Sequence, residues 1–196
     1  MARKIVAALG DSITAGTPLW DPNPDVRAAI DANELAEESQ WPYWAVRQHP
    51  SLEIRNHGVN LERTDQIAAR FAAAADGADA IVIQGGINDV VQGRDPALTV
   101  GDLRDMVQRA KALGLRVAVT DVLPWNNGWP DHYETILALN DAIATMSRDE
   151  QVLLLPFYAT LEDPERPGRM REEDTSDGNH PTVHGHRRLA TAFQPF

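Results

Sequence analysis

A serine, a histidine and an aspartate are the residues of this chain whose types and spacing could do chemistry together. Ser12 lies in Gly10-Asp11-Ser12-Ile13-Thr14-Ala15-Gly16, directly after an uncharged run, Ile5 to Leu9, of β-branched and small residues. That run is expected to be a buried strand, with Gly-Asp-Ser as the turn that ends it. Far downstream, Asp177-Gly178-Asn179-His180-Pro181 sets a carboxylate three residues before an imidazole. A serine hydroxyl is a weak nucleophile until a base takes its proton, and the base needs an orienting partner. His180 is the natural base. Asp177 can fold back onto its ring within one turn, hold the tautomer and stabilise the imidazolium that forms.

Attack on a carbonyl makes an oxyanion, which must be met by donors aimed at it. The N–H of Ser12, a backbone N–H from the turn at Gly58–Leu61 and the side-chain amide of Asn88, in Gly85-Gly86-Ile87-Asn88-Asp89, could supply three. Each of these residues alone is equally a turn former or a cap; only four converging turns make a site. Asp11 is expected to be a turn former, since adjacent side chains point apart, and Asp89 a cap. His184 and His186, with His180, have a spacing that could suggest a metal site. The stretch has no clear carboxylate beyond Asp177, so both are taken as structural, and no metal or other cofactor is expected. Trp20, Trp125, Asn126 and Trp129 are the candidates for substrate contacts, because their loops leave the sheet at the same edge.

The elements that must position these groups alternate along the chain. Strands are expected at Ile5–Leu9, Leu52–Asn56, Ala80–Ile83, Leu115–Val122 and Val152–Leu155. Helices are expected to open at Trp41-Pro42 and to cover Asp65–Ala75, Asp102–Leu113, Tyr133–Met146 and Thr182–Phe193. Gly114 is a C-terminal cap. Alternation of this kind argues for an α/β fold with a parallel sheet covered on both faces, ligands binding at the carboxyl ends of its strands. Asp25–Glu38, inside the long stretch Thr17–Gln40, is expected to be an exposed helix, either a pocket wall or a solvated surface. Leu123–Pro130 is a loop, and Asp163–Asp174 is expected to be irregular.

Composition bounds the rest. At 196 residues the chain is expected to be a single domain, 1–196, large enough to bury a core. It has no cysteine, which removes disulfides, thiolate catalysis and zinc–thiolate sites. Its 18 basic and 29 acidic side chains give a formal charge of −11, unsuited to nucleic acid, anionic membranes or polyanions without a local basic patch. No apolar stretch is long enough to span a bilayer. The charged start runs straight into Gly-Asp-Ser with no small-residue cleavage site, so a cytoplasmic protein is expected. The expected partner is a small molecule; oligomeric state is not legible.

Together, Gly10-Asp11-Ser12-Ile13, a second-turn glycine, Gly86-Ile87-Asn88-Asp89 and Asp177-Gly178-Asn179-His180-Pro181 resemble the ordered blocks of the SGNH (GDSL-type) hydrolases over essentially the whole chain. The resemblance implies a three-layer α/β/α, flavodoxin-like fold with a central five-stranded parallel sheet. It also implies esterase chemistry through an acyl-enzyme, with Ser12 as nucleophile and Asp177 and His180 completing a triad. The oxyanion hole would be Ser12, the second-turn residue and Asn88. One block departs from the pattern. Counted from Asn56, the family's donor glycine falls on Leu61, whereas Gly58 matches an earlier glycine of the motif. The donor is therefore expected to be Leu61 or, on another register, Gly58; an isobutyl group there would favour short acyl chains. A phosphate loop is disfavoured, since no Lys-Ser/Thr pair follows Gly16 and Gly-x-Gly-x-x-Gly is absent. The Gly-x-Ser-x-Gly elbow is missing as well. The tryptophans lean toward carbohydrate acetyl esters, and an inactive small-molecule binding protein of the same fold is the alternative.

Overall fold

Five strands run side by side in the computed structural model, which describes residues 3–30, 36–129 and 131–194. They are β1 (Lys4–Gly10), β2 (Leu52–Gly58), β3 (Ala80–Ile83), β4 (Arg116–Thr120) and β5 (Leu153–Leu155), all parallel, in the order β2-β1-β3-β4-β5. This is the flavodoxin-like order. A second, two-stranded antiparallel sheet pairs β6 (Glu162–Asp163) with β7 (Arg166–Met170). The described helices, in chain order, are α1 (Ser12–Ala15), α2 (Pro24–Ala29), α3 (Trp41–Gln48), α4 (Thr64–Ala69), α5 (Phe71–Ala75), α6 (Ile87–Val91), α7 (Pro96–Ala112), α8 (His132–Asp149), α9 (Phe157–Leu161) and α10 (Val183–Ala192).

Side chains alternate across the sheet, and each face has its own core. Ala7, Leu9, Ile81, Ile83, Val117 and Val119 pack under α4, α5, α7 and α8, against Ile67, Phe71, Leu103, Met106, Leu139 and Ile143. Val6, Ala8, Val82 and Ala118 face α3, α9 and α10, against Trp41, Phe157, Leu161 and Leu189. A strand covered on both sides has no polar face, which is why Ile5–Leu9 and Ala80–Ile83 are continuous apolar runs. β2 alternates instead because it is an edge strand. Among the described residues no helix is long and apolar enough to cross a membrane.

Several boundaries differ from the sequence expectation. α7 begins at Pro96 rather than Asp102, because Asp95 caps it by accepting from the Ala97 N–H and proline fits the first turn. The alanine-rich stretch is two helices broken at Arg70, whose guanidinium reaches inward to the carbonyls of His57 (3.0 Å) and Gly10 (3.2 Å). The 163–174 segment is not irregular: much of it is β7, with a 3₁₀ turn over Glu172–Asp174. Its strand is exposed and proline-bearing, so it lacks the apolar alternation that marks a strand. In place of a helix over Asp25–Glu38 there are α2 and a 3₁₀ turn at Ala36–Ser39; residues 31–35 lie outside the described residues, as does Pro130.

Register places three turns together. Gly10 pairs with Gly58 and Leu9 with Ile83, so the chain leaves β1, β2 and β3 at adjoining points on the carboxyl edge.

Candidate active site

Ser12 is the first residue of α1, and local chemistry fixes it there. The Asp11 carboxylate caps the helix by accepting from the Ile13 N–H (2.9 Å), and Gly16, at φ 103°, closes it one turn later. The turn is clamped to the end of β3. Gln84 Oε1 accepts from the Asp11 N–H (3.1 Å) and from the Thr14 hydroxyl (2.9 Å). Ser12 is buried except for the edge it presents.

His180 lies opposite, its Nε2 3.1 Å from Ser12 Oγ and its Nδ1 2.7 Å from Asp177 Oδ2. An ionised carboxylate only accepts, so Nδ1 carries the ring proton and Nε2 is left to accept from the serine hydroxyl. The other Asp177 oxygen accepts from the backbone N–H groups of Asn179 (2.8 Å) and His180 (2.7 Å), which folds the loop back on itself as the three-residue spacing predicts. Burial pushes the Asp177 carboxyl up, but those two N–H groups and the ring outweigh it and hold its pKa below the ordinary value. Thr175 braces the turn, donating to the His180 carbonyl (2.8 Å) and accepting from the Gly178 N–H (2.9 Å).

The donor side is built on the second and third turns. The Asn88 amide donates to the Glu62 carbonyl (2.9 Å), which leaves its second N–H for a ligand and ties the two turns together. Behind it Asp89 is more than a cap. It is buried and accepts from the Thr64 N–H (3.0 Å), the Thr64 hydroxyl (2.8 Å) and the Thr99 hydroxyl (3.1 Å), and pairs with Arg94 (2.8 Å). Leu61 has φ 67°, the left-handed region that favours glycine, and nothing among the described residues accepts from its N–H. The Gly58 N–H is already given to Asn56 Oδ1 (2.8 Å), and a Cβ there would collide with the backbone of Thr14 and Ala15. That glycine serves close packing of β2 on α1. The Leu61 side chain is 68% exposed, so it does not narrow a pocket as the sequence suggested. A cleft of about 10 Å³ lies elsewhere, lined by Ile13, Ile87, Val122, Leu123 and Trp125, with Asn179 at its rim.

The remaining histidines diverge. His184 Nδ1 pairs with Asp174 (2.8 Å), while His186 is buried with both ring nitrogens unpartnered among the described residues; burial, then the charge of His180, pushes its pKa down to about 3. Asp11 also has surroundings that sequence does not reveal. Among the described residues its buried Oδ2 has no partner, and burial raises its pKa to about 6 against the lowering effect of the Ile13 N–H, Gln84 and His180.

The model of the GDSL-like Lipase/Acylhydrolase family matches residues 8–188. The chain is also 32% identical over 195 residues to Esterase TesA of Pseudomonas aeruginosa, covering 99% of this chain and 88% of that protein. The chain belongs to this family. It is thereby an ester-hydrolysing enzyme. The fold is shared with a member of the lipolytic protein G-D-S-L family from Veillonella parvula (TM-score 0.76, 18% identity, 97% of this chain and 96% of that one). It is shared too with Axe2, an acetylxylan esterase from Geobacillus stearothermophilus (TM-score 0.72, 20% identity, 97% and 92%).

In this GDSL-like acylhydrolase the other sequence candidates divide. Trp125 and Trp129 stack edge to face, centroids 5.0 Å apart, and the buried Trp125 indole donates to Asn179 Oδ1 beside His180. Asn126 spends its amide on Met170 of β7, donating to its carbonyl (3.0 Å) and accepting from its N–H (2.7 Å). Trp20 is in another loop, its ring under the Arg27 guanidinium at 4.4 Å. Sequence reasoning missed Gln84, Arg70 and Thr175. Gln84 alone carried a signal, as a polar residue directly after the apolar run of β3.

Proposed function

We propose that this acylhydrolase is a serine esterase for acetyl and other short-acyl esters, acting through an acyl-enzyme. The observation that carries the reading is the unbroken line Asp177 Oδ2, His180, Ser12 Oγ, joined by bonds of 2.7 and 3.1 Å. Ser12 Oγ attacks the ester carbonyl as its proton passes to His180 Nε2. The oxyanion is met by the N–H groups of Ser12 and Leu61 and by the free N–H of Asn88. Its collapse breaks the C–O bond to the alcohol, which leaves with the proton from His180. Water then repeats the sequence on the acetyl group and frees the acid and Ser12. Asp177 stays ionised throughout and steadies the imidazolium.

Two features support the short acyl group. The cleft of about 10 Å³ beside Ile13 has room for roughly one water-sized group. The fold is shared with a protein described as an acetylxylan esterase. The formal charge of −11 supports a small ester over nucleic acid or an anionic membrane as partner.

Turnover of p-nitrophenyl acetate tests this. Ser12→Ala should lose on the order of 10⁴–10⁶ in kcat. Asn88→Ala should lose on the order of 10²–10³ in kcat with little change in KM. Wild-type rates should fall from acetyl through octanoyl to dodecanoyl esters. Equal rates for the wild type and Ser12→Ala would refute the enzyme and favour a binding protein; faster dodecanoyl turnover would refute the short acyl site.

A further inference from the structure

Beyond the wall made by Trp125 lies a larger hollow, about 350 Å³, within the range of small-ligand pockets. Trp125, Trp129, His132, Tyr133, Pro167 and Arg169 line it, drawn from the loop after β4, the start of α8 and the hairpin strand β7. Its walls are fixed. Trp125 packs edge to face on both Trp129 and His132, at 5.0 and 5.2 Å between centroids. Gly168, at φ 82°, lies so close to Tyr133 that any Cβ there would strike its ring. The Gly168 N–H donates to Glu162 across the hairpin (2.9 Å), and the Asn126 amide ties Met170, at the end of β7, to the loop after β4.

The hollow is joined to the catalytic loop. Asn126 N–H donates to the Gly178 carbonyl (2.8 Å), Trp125 to Asn179 and Asn127 to the Asp177 carbonyl. Trp125 is the partition: one side lines the small cleft with Ile13, the other lines the hollow. The two spaces meet at Trp125, and its indole is bonded to Asn179, next to His180, so a substrate that places its acyl group at Ser12 has the hollow as the neighbouring space for its alcohol part.

We propose that this hollow is the alcohol subsite and takes a pyranose ring that carries a carboxylate, so that the substrate is an acetylated acidic sugar. This rests on the esterase reading above. Two observations choose the occupant. Trp129 is 48% exposed, and an indole held against a buried neighbour with half its surface open offers the apolar surface on which sugar C–H faces stack. Arg169 is exposed on the rim and forms no ion pair among the described residues, whereas its neighbour Arg166 is held by Asp163 (2.8 Å) and Glu172 (3.0 Å). In a chain of formal charge −11, an unpaired guanidinium beside an aromatic pocket is the local basic group that an anionic substrate needs.

A matched pair of esters reads the proposal: mono-O-acetyl methyl glucoside and mono-O-acetyl methyl glucuronide, which differ only at C6. Ethyl acetate, whose alcohol is too small to reach Trp129, is the control. The wild type should have a KM several-fold lower for the glucuronide. Trp129→Ala should raise KM for both sugars about tenfold, several-fold more than it changes KM for ethyl acetate. Arg169→Gln should abolish the preference for the charged sugar and leave the neutral one unaffected. Sugar KM values unmoved by Trp129→Ala, with ethyl acetate still hydrolysed, would overturn the subsite and leave the esterase standing. An Arg169→Gln enzyme that still prefers the glucuronide would overturn the acidic sugar. Calorimetry with the non-ester methyl glucuronide makes the test independent of turnover. Saturable binding weakened in Trp129→Ala supports the subsite even if no ester is cleaved. Binding that is absent, or equal in both proteins, overturns it.

Discussion

The two halves of the site are held in different ways. The half that holds the proposed nucleophile and donors grows from β1, β2 and β3, and its polar groups are buried and bonded across large sequence separations. Gln84 clamps the Ser12 turn, Asn88 ties to Glu62, and Asp89 gathers Thr64, Thr99 and Arg94. The proposed acid–base half is an outer loop, braced by its own residues (Asp177 to Asn179 and His180, Thr175 to Gly178 and His180) and held to the loop after β4 by Trp125, Asn126 and Asn127. A buried network that loses one member strands the others, so the first half should register damage as lost stability. Groups on a half-exposed loop can turn to water when a partner is lost, so the second should register damage as lost rate.

The largest effect expected from this contrast is on the loop. Asp177→Asn should lower kcat by roughly 10³–10⁴, because an amide can present the wrong group to Nδ1. Its folding stability should stay within about 1 kcal/mol of the wild type, since an amide oxygen can still accept from Asn179 and His180. A melting temperature reduced as far as the rate would erase the distinction between the halves. Asp89→Ala is the converse. It removes the acceptor of four donors, leaves Asp102 (2.7 Å) as the one carboxylate beside Arg94 among the described residues, and should cost about 3–5 kcal/mol, measured by urea unfolding. A variant that unfolds with the wild type would show that Asp89 is only a turn cap.

The smallest effect sharpens the picture at the seam between the halves. Asp11 has a pKa near 6 in the folded protein against 3.8 in an open chain, so between these values the native state binds more protons than the unfolded state. Its contribution to stability is therefore present in acid and is lost as pH rises through that window. Asp11→Asn keeps an oxygen for the Ile13 N–H and cannot ionise. It should gain on the order of 1–3 kcal/mol relative to the wild type between about pH 4 and pH 7. A difference that does not vary with pH over this range would contradict the buried, unpartnered Oδ2.

The sequence revealed the two halves unequally too. Strands covered on both faces announce themselves as uncharged runs, so β1 and β3 and the turns after them were legible, as was the fold of Asp177 onto His180 from its spacing. The supports were not. Arg70 reaches Gly10 across sixty positions, and Gln84 reaches Thr14 across seventy; a helix break or a stray polar residue is all the trace they leave. The hairpin at 162–170 was missed because an exposed, proline-bearing strand has no hydrophobic period. Leu61 was picked out by counting from Asn56, and it has the positive φ that a glycine would suit; its exposure was not foreseen, because backbone conformation decides where the side chain goes.

The most direct measurement is of the covalent intermediate itself. Rapid quenching of the enzyme with p-nitrophenyl acetate, followed by mass analysis of the digested chain, should find one acetyl group on the peptide containing Ser12, formed with the first burst of nitrophenolate. The adduct should fail to form in Ser12→Ala. Turnover without any acetylated peptide, or acetylation at another residue with Ser12→Ala still active, would contradict the account.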